Sequence, residues 1–284
     1  MPTTTTRSSR PLRHRADLAG RLAAAASLLL MSAAAQAEPR PRIMVMTGLP
    51  LVWGEKGPFE PGSRPAAAYR ELSRSFELRP VDVLDPATLA LGRTLLLVQP
   101  QRLSPGELAD LDTWIRRGGR ALILTDPMLA WPSELPPGDI RRPPSVGMLA
   151  PLLDHWRLTM APPPQAGEVE ARWEGRRLLL DSPGRLSSAG AECVVDEGGL
   201  TALCRLGLGS ARVVADADLI RDSLWERRSA ENPTVVGEWM HELAGTVPPP
   251  PRQVWNAAIG KAAFFVLPAV LAGIGLLRRR RVKR

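Results

Sequence analysis

Three carboxylates stand where apolar runs end. Asp126 follows Leu122-Ile123-Leu124-Thr125, and Asp216 and Asp218 follow Val213-Val214-Ala215. Short apolar runs of this kind read as buried strands, and open α/β sheets take their ligands at the C-terminal ends of strands. Three converging carboxylates have the charge and the oxygen atoms that a cation needs. The same residues have a plainer reading, with Asp126-Pro127 as turn chemistry and Asp216 and Asp218 as caps of the following helix. Trp53 and Glu55, in a long first loop over residues 49–55, fall at the same edge. An exposed loop Trp suits contact with a partner, and a buried one would fill the core.

Other reactive residues lead less far. Cys193 and Cys204 flank the turn Asp196-Glu197-Gly198-Gly199. If residues 197–200 form a four-residue loop, the two thiols face each other and a cross-strand disulfide is possible; two buried free thiols are the alternative. His155 and His241 are the only histidines after residue 38. His241-Glu242 has Gly245 where a zinc-protease helix would carry its second His. Gly207-Leu208-Gly209 precedes a strand, whereas a dinucleotide fingerprint follows one and opens a helix. No catalytic residue, metal site or cofactor is expected from these patterns, and the chain reads as a non-enzyme.

The elements that would position these residues alternate. Residues 43–47 read as a first buried strand and residues 65–76 as a helix with Ala68, Leu72 and Phe76 at four-residue spacing. Residues 78–83 and 94–98 read as strands two and three, the latter apolar throughout as a strand covered on both faces would be. Ser104, Pro105 and Glu107 form a capping-box start, Leu108, Leu111 and Ile115 an apolar stripe, and Gly118-Gly119 a stop. Residues 121–124 give a fourth strand, so this stretch is a βαβ unit in a parallel sheet. A helix is expected around residues 146–156 and a β-meander insertion over about residues 165–206. Residues 211–216 give one more strand, and Asn232-Pro233 opens a last helix that Gly245 closes.

The ends carry the positive charge. The chain has a formal net charge of +8 and a sequence pI near 10.7, yet residues 38–251 hold 24 Lys and Arg against 28 Asp and Glu, a net charge of −4. That balance excludes nucleic acid as a partner. Residues 1–37 show a basic start, an apolar stretch over residues 22–31 and Ala35-Gln36-Ala37, the pattern of a signal peptide. Pro248-Pro249-Pro250-Pro251 begins a stiff spacer over residues 248–256. Residues 257–277 have the length and apolarity of a transmembrane helix, and residues 278–284 form a basic tail that the positive-inside rule places in the cytoplasm. The expected organisation is a single-pass protein of the bacterial cytoplasmic membrane, with one extracytoplasmic α/β domain over residues 38–247.

Residues 95–127, laid out as strand, Pro, Leu-Ser-Pro-x-Glu-Leu helix, Gly-Gly, strand and Asp-Pro, resemble the auxiliary proteins of gliding-motility-type ABC transporters. Gly207-Leu208-Gly209-Ser210-Ala211-Arg212-Val213-Val214 with Asp216-Ala217-Asp218, and the closing helix from Asn232-Pro233 to Trp239, are similar to the same family, as is an Arg-rich tail after one transmembrane helix. The resemblance implies a flavodoxin-like fold, similar to class I glutamine amidotransferases, with a mostly parallel sheet. It also implies a non-catalytic extracytoplasmic component beside the ATPase and permease subunits of an ABC transporter. Amidotransferases carry a Cys nucleophile on a turn after a strand; the equivalent turn here is Gln99-Pro100-Gln101. The expected function is a membrane-anchored accessory or scaffold protein. A ligand- or cation-binding module is the first alternative and a degenerate hydrolase the second.

Overall fold

Thr94 to Val98 is buried along its whole length, so both faces of that strand must be covered, and the rest of the chain supplies the covers. The computed structural model describes residues 39–246. In chain order the elements are β1 (Arg42–Thr47), α1 (Ala67–Ser75), β2 (Glu77–Pro80), α2 (Pro86–Leu89), β3 (Thr94–Val98), α3 (Pro105–Arg116) and β4 (Arg120–Leu124). They continue with α4 (Ala150–His155), β5 (Leu158–Ala161), β6 (Glu168–Trp173), β7 (Arg176–Asp181), β8 (Arg185–Ser188), β9 (Cys193–Val195), β10 (Thr201–Leu206) and β11 (Gly209–Val214). A 3-10 turn (Asp218–Ile220), α5 (Asp222–Trp225) and α6 (Asn232–Ala244) complete the described chain.

Seven strands form one mixed sheet in the order β2-β1-β3-β4-β11-β10-β9. The first five run parallel, and β10 and β9 add to β11 antiparallel. One face packs Ile43, Val45, Leu96, Leu122 and Val214 under α1 and α6, with Leu72, Phe76, Val236 and Trp239 pointing inward. The other packs Met44, Leu95, Leu97, Ile123 and Val213 under α3 and α4, with Leu111, Ile115, Leu153 and Trp156. Each such side chain contributes about 1.5–3 kcal/mol by leaving water. The α3 helix starts as its sequence dictates: Ser104 Oγ accepts from Glu107 N at 3.2 Å, and Glu107 Oε2 accepts from Ser104 N at 2.8 Å. Gly209 admits the end of that helix to the start of β11, where a Cβ would lie 2.1 Å from the carbonyl oxygens of Ile115 and Gly119.

The strands expected as an insertion divide in two. β9 and β10 belong to the main sheet, while β5–β8 and β6–β7 form separate two-stranded pairs. Residues 197–200 form the four-residue loop between β9 and β10, so Cys193 sits directly opposite Cys204 and the two are joined by a disulfide. Two elements are shorter than the sequence pattern expects. β2 ends at Pro80, just before Val81 N makes a last bond to the Val45 carbonyl at 2.9 Å. The helix expected around residues 146–156 begins at Ala150, and the residues before it are drawn to the sheet edge, where Gly147 N donates to the Asp126 carbonyl at 2.6 Å.

The expectations of a C-terminal transmembrane helix and of a single-pass membrane location are corrected. No helix among the described residues is long and apolar enough to cross a membrane. The longest, α6, has 13 residues against the roughly 20 that a span requires. The expected signal peptide (residues 1–37), spacer (248–256), span (257–277) and basic tail (278–284) lie outside the described residues.

The disulfide closes a separation of 11 residues, for which chain entropy gives about 3 kcal/mol. Replacing both cysteines by alanine lowers the unfolding free energy by about 2–4 kcal/mol in urea titrations. A loss below about 0.5 kcal/mol would show that the β9–β10 hairpin does not depend on it.

Candidate functional site

Every residue singled out at the sheet's C-terminal edge lies there. Trp53 and Glu55 follow β1, Asp126 follows β4, and Asp216 and Asp218 follow β11. The strand order reverses beside β1, with β2 on one side and β3 on the other, so this edge includes the topological switch point of the sheet.

The three aspartates are each fully buried, and each carboxylate oxygen has a donor. Asp126 Oδ1 accepts from Met128 N at 2.7 Å and Oδ2 from Ala217 N at 3.1 Å. Asp216 Oδ1 accepts from Leu219 N at 2.6 Å and Oδ2 from Asp181 N at 2.9 Å. Asp218 Oδ2 accepts from Ala130 N at 2.6 Å, and Oδ1 lies 3.4 Å from Arg221 Nη1. Five of the six oxygens therefore hold backbone N–H groups of three different segments, and the sixth meets a guanidinium. Asp216 bonding Leu219 fits the helix-cap reading of that residue, and Asp126 bonding Met128 fits the turn reading. The bonds from Asp126 to Ala217, Asp216 to Asp181 and Asp218 to Ala130 go further, because they join separate loops across the edge. Among the described residues no group of three or more His, Cys, Asp or Glu side chains is arranged to hold a metal ion.

Sequence reasoning missed three members of this network. Arg221 reaches Asp181 Oδ2 at 2.9 Å and donates to the Ala130 carbonyl at 2.8 Å. Asp181 ends β7, and its layout, Leu178-Leu179-Leu180-Asp181-Ser182-Pro183, repeats the apolar-run-then-Asp pattern of Asp126; that repetition was the available signal. Gln99 is fully buried with φ 37°. Its Oε1 accepts from Asp126 N at 2.8 Å, and its Nε2 donates to the carbonyls of Asp126 and Pro144 at 3.2 and 3.0 Å. Gln99 thus pins both ends of the 127–149 loop.

Burial is the main force on the three carboxyls, since it penalises their charged forms. It raises Asp126 to about 7 and Asp218 to about 6, against the backbone hydrogen bonds that favour ionisation. Asp216 is raised well above the ordinary range by burial and then by the neighbouring Asp126 and Asp218.

Glu55 clasps a second loop. Its carboxylate accepts from Ser133 Oγ and from Glu134 N, the latter at 2.9 Å, so the loop after β1 is tied to the loop after β4. Trp53 is 55% exposed beside this bridge, and Ile140, 88% exposed, stands on the tied loop. Both line a cavity of about 330 Å³ with Gly48, Asp82, Gln101 and Arg141. The remaining residues are elsewhere. Cys193 and Cys204 lie near the far edge of the sheet. His155 is 3.7 Å from Asp112 on the α3–α4 side. His241 packs on Phe76 at 4.6 Å under the other face, with Nδ1 2.8 Å from Thr246 Oγ1, and burial lowers its pKa.

The carboxyl shifts have a definite sign. A carboxyl whose folded pKa is raised binds more protons folded than unfolded between about 4 and about 7, so its contribution to stability falls as pH rises through that window. In urea titrations the unfolding free energy of the wild type minus that of Asp126→Asn shrinks from about pH 4 to about pH 7. A difference that stays constant or grows over that window would contradict the assigned ionisation.

Comparison with known proteins gives a family match over part of the chain. No curated protein matches the chain. Among solved structures, the N-terminal domain of mmIFT52 is 12% identical and aligns over 71% of this chain and 97% of that one, with a TM-score of 0.48. The cytoplasmic protein STM1381 from Salmonella typhimurium LT2 is 11% identical over 71% and 99%, TM-score 0.47. The exo-beta-1,4-mannosidase Op5Man5 from Opitutaceae bacterium strain TAV5 is 13% identical over 72% and 36%, TM-score 0.44. These scores lie below 0.5, and no argument rests on them. Residues 40–162, which run from β1 through the Asp126 loop to β5, match the model of the ABC-type uncharacterized transport system family, the auxiliary-component family that the layout of residues 95–127 resembles.

Proposed function

We propose that this chain is a non-enzymatic accessory subunit of an ABC-type transport system, and that it meets an ATPase or permease subunit through the edge that carries Trp53. The family match supplies the transport system. The observation that carries the finer reading is the occupancy of the buried carboxylates: five of the six oxygens hold backbone N–H groups and the sixth meets Arg221. The loops at this edge expose apolar side chains among their charged ones: Trp53, Phe59, Met128, Ile140, Val146 and Met148 all reach solvent. Loops held this firmly bind with little ordering cost, and an exposed Trp that shares a cavity with Ile140 has the character of an interface anchor.

The test is recovery of partners by the full-length chain from a mild-detergent extract of its native cells, followed by mass spectrometry. The wild type recovers an ABC ATPase and permease. Trp53→Ser recovers them on the order of tenfold less while keeping the wild-type circular dichroism and melting temperature. Recovery of neither subunit by the wild type, or equal recovery by the variant, would sink the proposal.

A further inference from the structure

The sheet face that α1 and α6 cover ends before the sheet does. Those helices and the β6–β7 hairpin pack over β1, β3, β4 and the end of β11 at Val214. Beyond them the same face of β10 and β9 lies open as a trough of about 630 Å³, lined by Trp173, Glu174, Val194, Leu203, Arg205 and Arg212. Val194 is 72% exposed although it sits in a strand whose neighbours Cys193 and Val195 pack into or against the core of the opposite face. With Trp173 and Leu203 beside it in the trough, Val194 belongs to a continuous apolar strip on this open face.

The charges around the trough say what fits it. Arg212 already pairs with Glu242 at 2.7 Å and lies against the rings of Trp173 and Trp239. Glu192 pairs with Arg116 at 3.0 Å, and the Asp196 carboxylate accepts from Leu200 N and Thr201 N. Arg205 and Glu174 remain. Both are exposed, they line the same trough, and neither makes an ion pair among the described residues. A partner bearing one sign of charge would satisfy one of them and repel the other. A second copy related by a two-fold axis through the trough satisfies both, because each Arg205 then meets the other copy's Glu174, and the two Val194 side chains approach near the axis. Two open sheet faces pack about 10 Å apart in this way. We infer that this chain forms a two-fold dimer through the open face of β9, β10 and β11.

The experiment is light scattering after size exclusion on the full-length chain over a concentration series. The wild type shows twice the mass of one chain. Arg205→Glu and Glu174→Lys each place like charges at both symmetry-related contacts and weaken dimerisation at least about tenfold. An equimolar mixture of the two variants restores the dimer, since every contact in the mixed pair is again opposite in sign. Val194→Lys weakens it independently of that ion pair. A wild type that is monomeric at every concentration would overturn the inference and leave the face to another partner or to a segment of the chain outside residues 39–246. Single variants that dimerise like the wild type, or a mixture that stays monomeric, would overturn it as well.

Discussion

Burying three carboxyl groups beside one guanidinium is the constraint that the rest of the C-terminal edge obeys. A buried carboxylate without partners is costly, so the chain must bring donors to all six oxygens: Arg221 serves one, and backbone N–H groups of passing segments serve the other five. Met128 and Ala130 come from the loop after β4, Asp181 from the end of β7, and Ala217 and Leu219 from the turn after β11. Asn232 extends the tie to α6, bonding both backbone groups of Leu179 and the Leu219 carbonyl. The parallel sheet sets where the aspartates start, and their hydrogen-bonding needs set where the loops finish.

This arrangement links sequence to presentation. Apolar runs make the strands; an Asp at the end of a run turns a polar group inward at the edge, and the loop that satisfies it is pulled down onto the sheet. Glu55 repeats the device between two loops. The exposed Trp53, Phe59 and Ile140 are therefore carried on backbone that is anchored on both sides. The open face of β9 and β10 follows from the same economy of elements: on that side two helices and a hairpin cover the parallel strands and reach Thr201 at the start of β10, and they leave Val194 and Arg205 exposed.

Local signals were legible in the sequence and long-range ones were not. The α3 capping box, the strand at residues 94–98 and the parallel βαβ unit follow from neighbours within a few residues, and the structure has them in place. The positions of Asp126, Asp216 and Asp218 at strand ends could be read from apolar runs alone. Their partners could not, because Asp126–Ala217 and Asp218–Ala130 span 91 and 88 residues, and no local pattern carries such a pairing. Arg221 carries no local signal, and only the fold places its guanidinium against Asp181 and Asp218. The membership of β9 and β10 in the main sheet escaped for a similar reason. Their hairpin was visible, but its antiparallel docking on β11 depends on Gly207 and Gly209 closing the turn against α3.

The central claim is that the buried aspartates hold the edge loops to the sheet, and native-state hydrogen exchange of Asp218→Ala tests it most directly. In the wild type, the amides of Met128, Leu129, Ala130 and Glu134 are expected to exchange slowly, because each is hydrogen-bonded although none lies in a helix or strand. The account predicts that the substitution speeds exchange across residues 127–135 and, through Glu55, across residues 49–57, while β3 and β4 keep their protection. Fast exchange of the 127–135 loop in the wild type, or unchanged exchange there in the variant, would contradict it.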